Sequence, residues 1–304
     1  MKKKITNKKS RDYLTNFFRR RSIIALCCGI GILILSFYGM IAGVIRTITV
    51  KGRDGFSAFL YFTRISNMLA MVSVSFLIPF AVEGIRKRRF VLPKWIATLH
   101  YLSATSIAIM MVFVFGFMSW TSPDNAFVGI HNLFLHIICP ILILISYFQI
   151  ENQHQFSLKD CLIGCIPFYL YLVIYIIEVL FIGEANGGWR DLYHIQEYVS
   201  PVVIIPLLLL LGFVVSYLVA VSSNYLVKKR KEKMFLYWEK EVDPIEAKIE
   251  AYGLGNMMSK TKDENNILIP LDILEYLAQK SHLNTDDLIK SYMIGFLNEK
   301  NENV

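Results

Sequence analysis

Charged residues are scarce in this 304-residue chain, which is 18% charged and 55% hydrophobic. A soluble domain of this size carries more charge, about a quarter of its residues. Charge is also missing in long blocks, since residues 22–45 and 198–227 contain none. About 20 apolar residues cross the hydrocarbon core of a bilayer as a helix. The composition therefore excludes a soluble globular domain and predicts an integral membrane protein.

Cysteine and histidine are also few, with five and six residues in the whole chain. Their spacing fits no zinc site, and the five cysteines are expected to be small apolar fillers. The sequence contains no G-x-x-x-x-G-K-[ST] loop for binding nucleotide phosphates, and no convincing internal repeat. Neither a metal nor a cofactor is predicted.

Six apolar stretches predict an all-α, six-span transmembrane helix bundle. They are residues 22–45, 60–82, 93–118, 129–150, 160–182 and 198–227. The first is too long for the apolar region of a signal peptide, and no small-residue cleavage site follows it, so we expect it to be retained.

The distribution of basic residues predicts the orientation of the bundle. Twenty Lys and Arg residues flank the spans on one side and four flank them on the other. The side richer in these residues is normally cytoplasmic. We therefore expect a multi-pass protein of the cell membrane with both termini in the cytoplasm. The net charge of +8 mostly reflects this asymmetry, which indicates contact with anionic membrane lipids and not with nucleic acid.

Composition divides the chain into five segments. They are a basic cytoplasmic arm (1–21), the six-helix membrane domain (22–227), a juxtamembrane helical segment (228–252), a linker (253–266) and a small helical tail (267–304). In the tail, an extended piece precedes a helix at 271–281 and a second helix capped by Thr285. This order resembles a ribbon-helix-helix unit, and the alternative is a plain helical hairpin. Either would serve a protein partner or self-association through 267–304.

Polar side chains interrupt three of the spans at the same predicted depth, roughly 8–10 Å from the outer end of the bundle. Polar groups inside a membrane are costly and usually face a cavity or the bundle interior. Helical spacing groups them by face, as Thr63, Ser66 and Asn67, as Asn132 and His136, and as Tyr171, Tyr175 and Glu178. Arg64 falls on an adjacent face, from which we expect it to reach toward the outer headgroups. His100 falls in the inner half and is not part of this group.

Two motifs in these spans resemble a known family. YFTRISN, at residues 61–67, is similar to the F-T-x-x-S-N signature of the androgen-induced-protein-like family of polytopic membrane proteins and their bacterial relatives. HNLFLHIICP, at residues 131–140, is similar to that family's N-x-x-x-H-x-x-x-P. The resemblance covers about residues 22–227, and the tail has no part in it.

The resemblance implies an activity and two catalytic residues. Animal members of the family are threonine hydrolases that cleave fatty-acid esters of hydroxy fatty acids with one intramembrane Thr and one His. By position in the motifs, these roles fall on Thr63 and His136, with His131 as the competing histidine. The chemistry is consistent, because a threonine hydroxyl is a weak nucleophile that needs a nearby base.

The remaining polar residues are candidates for supporting roles in such a site. Arg64 and Asn67 are candidates to stabilise the oxyanion, and Asn132 and Glu178 are candidates to orient the imidazole. Ser66 and Tyr175 lie on the same helical faces as these groups.

Three functions stay open from the sequence. The first is a membrane-embedded lipid-ester hydrolase. The second is a lipid-binding or transport protein that holds an anionic group through Arg64 and His136 without cleaving it. The third is a receptor or scaffold that acts through residues 228–304.

Overall fold

A computed structural model describes most of the chain as helix. The described residues are 2–49, 54–87, 92–121, 129–149, 156–193, 195–198, 200–236 and 284–302, with Ala251, Leu274 and Ala278. They contain no β-strand. The chain divides into two compact units, Met1–Arg230 and Lys231–Val304.

The first unit contains six helices that are long and apolar enough to cross a membrane, as predicted. We label them α1 (Lys2–Thr49), α2 (Phe62–Lys87), α3 (Lys94–Thr121), α4 (Ile130–Gln149), α5 (Leu158–Ile182) and α6 (Pro201–Leu236). The basic arm is the first part of α1, so it continues the first span without a break. The all-α, six-span prediction is confirmed, and the protein is a multi-pass integral membrane protein.

The helices pack through small and apolar side chains. Ile32 of α1, Ala70 and Val74 of α2, Ile107 of α3 and Ile143 of α4 form one buried cluster. A larger buried cluster joins α2 and α3 to α5, α6 and the segment that follows α5. Many large apolar side chains remain exposed on the outside of the helices, as a surface in contact with lipid requires.

Hydrogen bonds between buried polar groups add further links between the helices. His100 of α3 lies between two serines, with Ser73 Oγ 2.6 Å from Nδ1 and Ser146 Oγ 3.2 Å from Nε2. Tyr101 Oη lies 2.8 Å from Ser216 Oγ of α6. All five side chains are fully buried, so this polar set ties helices together and is separate from the groups described below.

Three of the spans contain a π-helical turn. These turns are Val114–Met118 in α3, Phe134–Ile138 in α4 and Ile177–Ile182 in α5. Each adds a residue to a turn and so changes which side chains share a face, and π turns are frequent at functional sites. All three lie toward the end of the bundle where α1 ends and α2 begins, which we call the α1–α2 end.

In the second unit, α7 spans Thr285–Glu302 and buries Leu288 and Tyr292. Its cap differs from the predicted one. Asn284 Oδ1 accepts the backbone N–H of Asp286 at 3.2 Å, so Asn284 is the N-cap and Thr285 is the first helical residue. Asn is as good a cap as Thr because its carbonyl oxygen reaches the same N–H groups.

Several of the predictions for the tail cannot be compared with the structure. The linker 253–266 and the extended piece before residue 271 lie outside the described residues. So do most of the predicted helix 271–281 and the part of 228–252 that follows α6. Association through 267–304 therefore stays a prediction.

Candidate functional site

A small polar cavity lies at the α1–α2 end of the bundle. Its volume is about 50 Å³, enough for a few water-sized groups. It is lined by Gly43, Arg46 and Thr47 of α1, Tyr61 just before α2, Thr63 and Arg64 of α2, Met118 of α3, and His131, Asn132, Leu135 and His136 of α4. The structure thus brings together five of the nine residues that the sequence singles out: Thr63, Arg64, His131, Asn132 and His136.

The start of α2 places Thr63 at this cavity. A 3₁₀ helix, Gly55–Leu60, leads to an extended Tyr61, and α2 begins at Phe62. Tyr193 Oη accepts the N–H of Phe62 at 2.8 Å, and Tyr171 Oη donates to the Leu60 carbonyl at 2.8 Å. Thr63 therefore lies in the first turn of a firmly anchored helix. The N–H groups of Arg64 and Ile65 bond to the Tyr61 carbonyl at 3.0 and 3.3 Å, so the N–H of Thr63 is the first-turn donor for which the described residues supply no acceptor.

Asn67, one turn after Thr63 in α2, links the helices around the cavity. Its Nδ2 donates to the Thr63 carbonyl at 2.7 Å and to the Leu135 carbonyl at 3.2 Å. Its Oδ1 accepts from Ser36 Oγ at 3.3 Å, so one amide joins α1, α2 and α4. Ser66 Oγ also donates to the Thr63 carbonyl, at 3.0 Å. Because both amide hydrogens of Asn67 are used in this way, its role is to position Thr63, and Arg64 is left as the oxyanion candidate.

Arg64 does not reach toward the headgroups, so that prediction was wrong. The residue is 9% exposed and turns into the cavity. Its guanidinium rests on Gly43 of α1, where a Cβ would lie only 2.8 Å from Cζ. The glycine at this position of α1 leaves the space that the guanidinium occupies. Its Nη1 is buried, and no described residue provides it with a hydrogen-bond acceptor.

His131 and His136 both line the cavity, although we treated them as competitors. Five residues in a regular α-helix place two side chains about 140° apart. The π turn Phe134–Ile138 begins after His131 and contains His136. In it, the N–H of Cys139 bonds to the carbonyl of Phe134, five residues back. This wider turn brings both imidazoles to one cavity.

The cavity is rich in cationic groups. Gly129, with φ of +100°, leaves space for the guanidinium of Arg46 and the imidazole of His131, since a Cβ there would lie 3.2 Å from Arg46 Nη1 and 2.6 Å from His131 Cε1. Arg64 and the positive end of the α2 dipole add to this charge. None of the described lining residues is acidic. The electrostatic field in the cavity therefore favours an anion or a group that becomes negative during a reaction.

Four of the nine predicted residues lie outside the lining of the cavity: Ser66 and Asn67, which bond to the Thr63 carbonyl, and Tyr175 and Glu178 of α5. Tyr175 of α5 donates a hydrogen bond to Asp191, and Glu178 is half-buried within the π turn of α5. Glu178 therefore does not orient an imidazole from this lining, and Asn132 is the remaining candidate. The sequence placed Tyr175 and Glu178 at the correct depth but on a helix that does not line the cavity.

Asp191 organises the segment that anchors α2. Its carboxylate accepts the N–H of Tyr193 at 3.3 Å and that of Gln196 at 2.8 Å, besides the hydroxyl of Tyr175. Tyr193 is thereby held beside the start of α2. Burial raises the pKa of the Tyr193 phenol well above its ordinary value, so the hydroxyl is neutral at physiological pH. The anchoring role is not predictable from spacing, because it depends on how the segment after α5 packs against the start of α2.

Sequence reasoning also missed Gly43, Arg46, Thr47 and Leu135. Arg46 is the first charge after the block 22–45 and was counted only for orientation. Among the described residues, no group of three or more His, Cys, Asp or Glu is placed to hold a metal ion.

Comparisons of the chain with protein-family models, with curated proteins and with solved structures find no match. The roles of the cavity residues are therefore argued from their geometry and chemistry.

Proposed function

We propose that this protein is a membrane-embedded lipid-ester hydrolase, with Thr63 as the nucleophile and His136 as the general base. The observation that carries the proposal is that Thr63 and His136 border the same small buried cavity. His131 borders it too and is the alternative base. The motifs around Thr63 and His136, which resemble those of the androgen-induced-protein-like threonine hydrolases, support the same roles.

The proposed reaction has two steps. Thr63 Oγ1 attacks the ester carbonyl carbon while His136 takes its proton, and the resulting oxyanion is stabilised by Arg64. Collapse of this intermediate breaks the ester bond, and the histidine returns the proton to the departing alcohol. Water, activated by the same histidine, then hydrolyses the acyl-threonine, which releases a fatty acid and regenerates the hydroxyl.

The position of the cavity suits an ester that arrives from the membrane. Its lining residues belong to the terminal turns of apolar spans, at a depth where the ester groups of lipids lie close to the headgroups. The distribution of basic residues supports an orientation with this end outside the cell and both termini in the cytoplasm.

A second candidate is a lipid-binding or transport protein that does not cleave its ligand. One observation favours it: Arg64 places a fixed, buried cation next to Thr63. A fixed cation beside the hydroxyl can equally hold a negative headgroup, and the two candidates therefore differ in whether Thr63 reacts.

The test is labelling of the purified protein in detergent with a lipophilic fluorophosphonate, which reacts with activated hydroxyls. The wild type should be labelled on Thr63, as read by mass spectrometry of the modified peptide. Thr63→Ala and His136→Ala should lose labelling, and Thr63→Ser should keep it.

Thr47→Ala is the matched control, because Thr47 lines the same cavity but its hydroxyl already donates to the Gly43 carbonyl at 2.8 Å. Labelling of wild type that survives Thr63→Ala, or no labelling of the folded wild type, would contradict the hydrolase proposal. Loss in His131→Ala with retention in His136→Ala would transfer the role of the base to His131.

A further inference from the structure

Arg64 is an unusual cation for the interior of a membrane bundle. It is 9% exposed, it lines the cavity, and its Nη1 has no acceptor among the described residues. A buried charge normally has a partner, because leaving it without one costs several kilocalories per mole. We therefore expect an anion that enters the cavity to provide the acceptor for Arg64 Nη1.

Donors approach the cavity from more than one side. The Arg64 guanidinium lies against Gly43, the first turn of α2 contributes the backbone N–H of Thr63, and His131 and His136 come from α4. Helix N-termini and arginine together are a common way of binding phosphate. A carboxylate offers two oxygens in one plane, whereas a phosphate offers three terminal oxygens in different directions.

We propose that the cavity binds the phosphate of a lipid headgroup, with Arg64 as its principal ligand. The cavity is small, about 50 Å³, and the spans that line it are apolar on their outside, so the acyl chain extends out of the cavity along the surrounding hydrocarbon. This inference concerns the same cavity as the proposed function and names the class of lipid, but it holds whether or not an ester is cleaved.

The experiment measures thermal stabilisation of the full-length protein in detergent by a monoacylglycerol phosphate. The matching neutral monoacylglycerol, the matching fatty acid and inorganic phosphate are the comparison ligands. We expect the lipid phosphate to raise Tm at concentrations at least tenfold below those at which the other three act. Arg64→Gln should weaken this binding by about tenfold to a hundredfold, as expected for loss of a charge-assisted hydrogen bond.

Two variants make the result specific. Arg64→Lys keeps the charge but loses the forked geometry, so it should bind between the wild type and Arg64→Gln. Arg190→Gln removes an exposed arginine that does not line the cavity and should leave binding unchanged. If Arg64→Gln does not fold, the order of wild type, Arg64→Lys and Arg190→Gln still tests the proposal.

Each contrary result has a defined meaning. Equal stabilisation by the neutral lipid, or unchanged binding by Arg64→Gln, would overturn the anion site. Equal binding of the fatty acid would overturn the preference for phosphate, and equal binding of inorganic phosphate would overturn the lipid as its source. The wild type separates this proposal from hydrolysis: lipid-phosphate binding by folded protein that the fluorophosphonate does not label would support the anion site and contradict the hydrolase, whereas labelling without lipid-phosphate binding would do the reverse.

Discussion

Replacing Arg64 with methionine should make the ligand-free protein more stable, which is the opposite of what most substitutions do. Methionine is a flexible apolar residue that fills irregular space, so it should occupy much of the volume of the arginine beside Gly43. The substitution breaks no hydrogen bond of Arg64 Nη1, because that atom has no acceptor among the described residues.

The magnitude follows from the burial of the side chain. A buried donor without a partner costs about 1–3 kcal/mol, and more when it is charged. The remaining 9% exposure, and water in the cavity, relieve part of this cost. We therefore expect Arg64→Met to raise the free energy of unfolding by about 1–3 kcal/mol in the absence of lipid.

The assay is equilibrium unfolding in lipid-free detergent, followed by tryptophan fluorescence, with Arg190→Met as the control at an exposed site. The control should change the free energy of unfolding by less than about 0.5 kcal/mol. A destabilisation of about 1 kcal/mol or more by Arg64→Met would refute the reasoning, since it would mean that Arg64 already has a stabilising partner within the protein.

Two other substitutions test the geometry around Thr63. Gly43→Ala places a methyl group 2.8 Å from Arg64 Cζ and should displace the guanidinium. In the Tm assay, this should lower lipid-phosphate binding about tenfold. Gly116→Ala is the control and should leave binding unchanged, because nothing lies within 4 Å of its Cβ. Unchanged binding by Gly43→Ala would show that the cation is not held where we place it. Tyr193→Phe removes the acceptor of the Phe62 N–H and should lower the free energy of unfolding by about 1 kcal/mol. It should also slow fluorophosphonate labelling of Thr63. Labelling at the wild-type rate would exclude the anchoring role.

The fold could be predicted because membrane spans leave a strong signal. Blocks of about 20 apolar residues give the helices directly, and the loops between them are short. Helical spacing also put Thr63, Ser66 and Asn67 on one face, and in the structure the Thr63 carbonyl accepts hydrogen bonds from both other side chains. These features depend only on local sequence.

The rest of the site depends on features that a periodic pattern does not contain. The π turn in α4 shifts the register by one residue, so His131 and His136, which regular spacing would place on different faces, both line the cavity. The guanidinium of Arg64 occupies space that a glycine on another helix leaves open. Glu178 lies outside the cavity because α5 does not contribute to its lining. Each requires knowledge of how the helices pack.

The same physics explains why these polar groups meet at the start of α2. A reactive hydroxyl and its base need a site with little water, because electrostatic stabilisation is strongest where the dielectric constant is low. A cation cannot face lipid at low cost, so it must turn inward or reach the interface. The first turn of a helix satisfies both needs, since its positive dipole and the N–H of Thr63 are already polar, and the Asn67 bridge beneath them separates the cavity from the apolar core. One turn deeper, the arginine would take the position of Met68, which is 44% exposed on the outside of the helix, and the cation would face lipid.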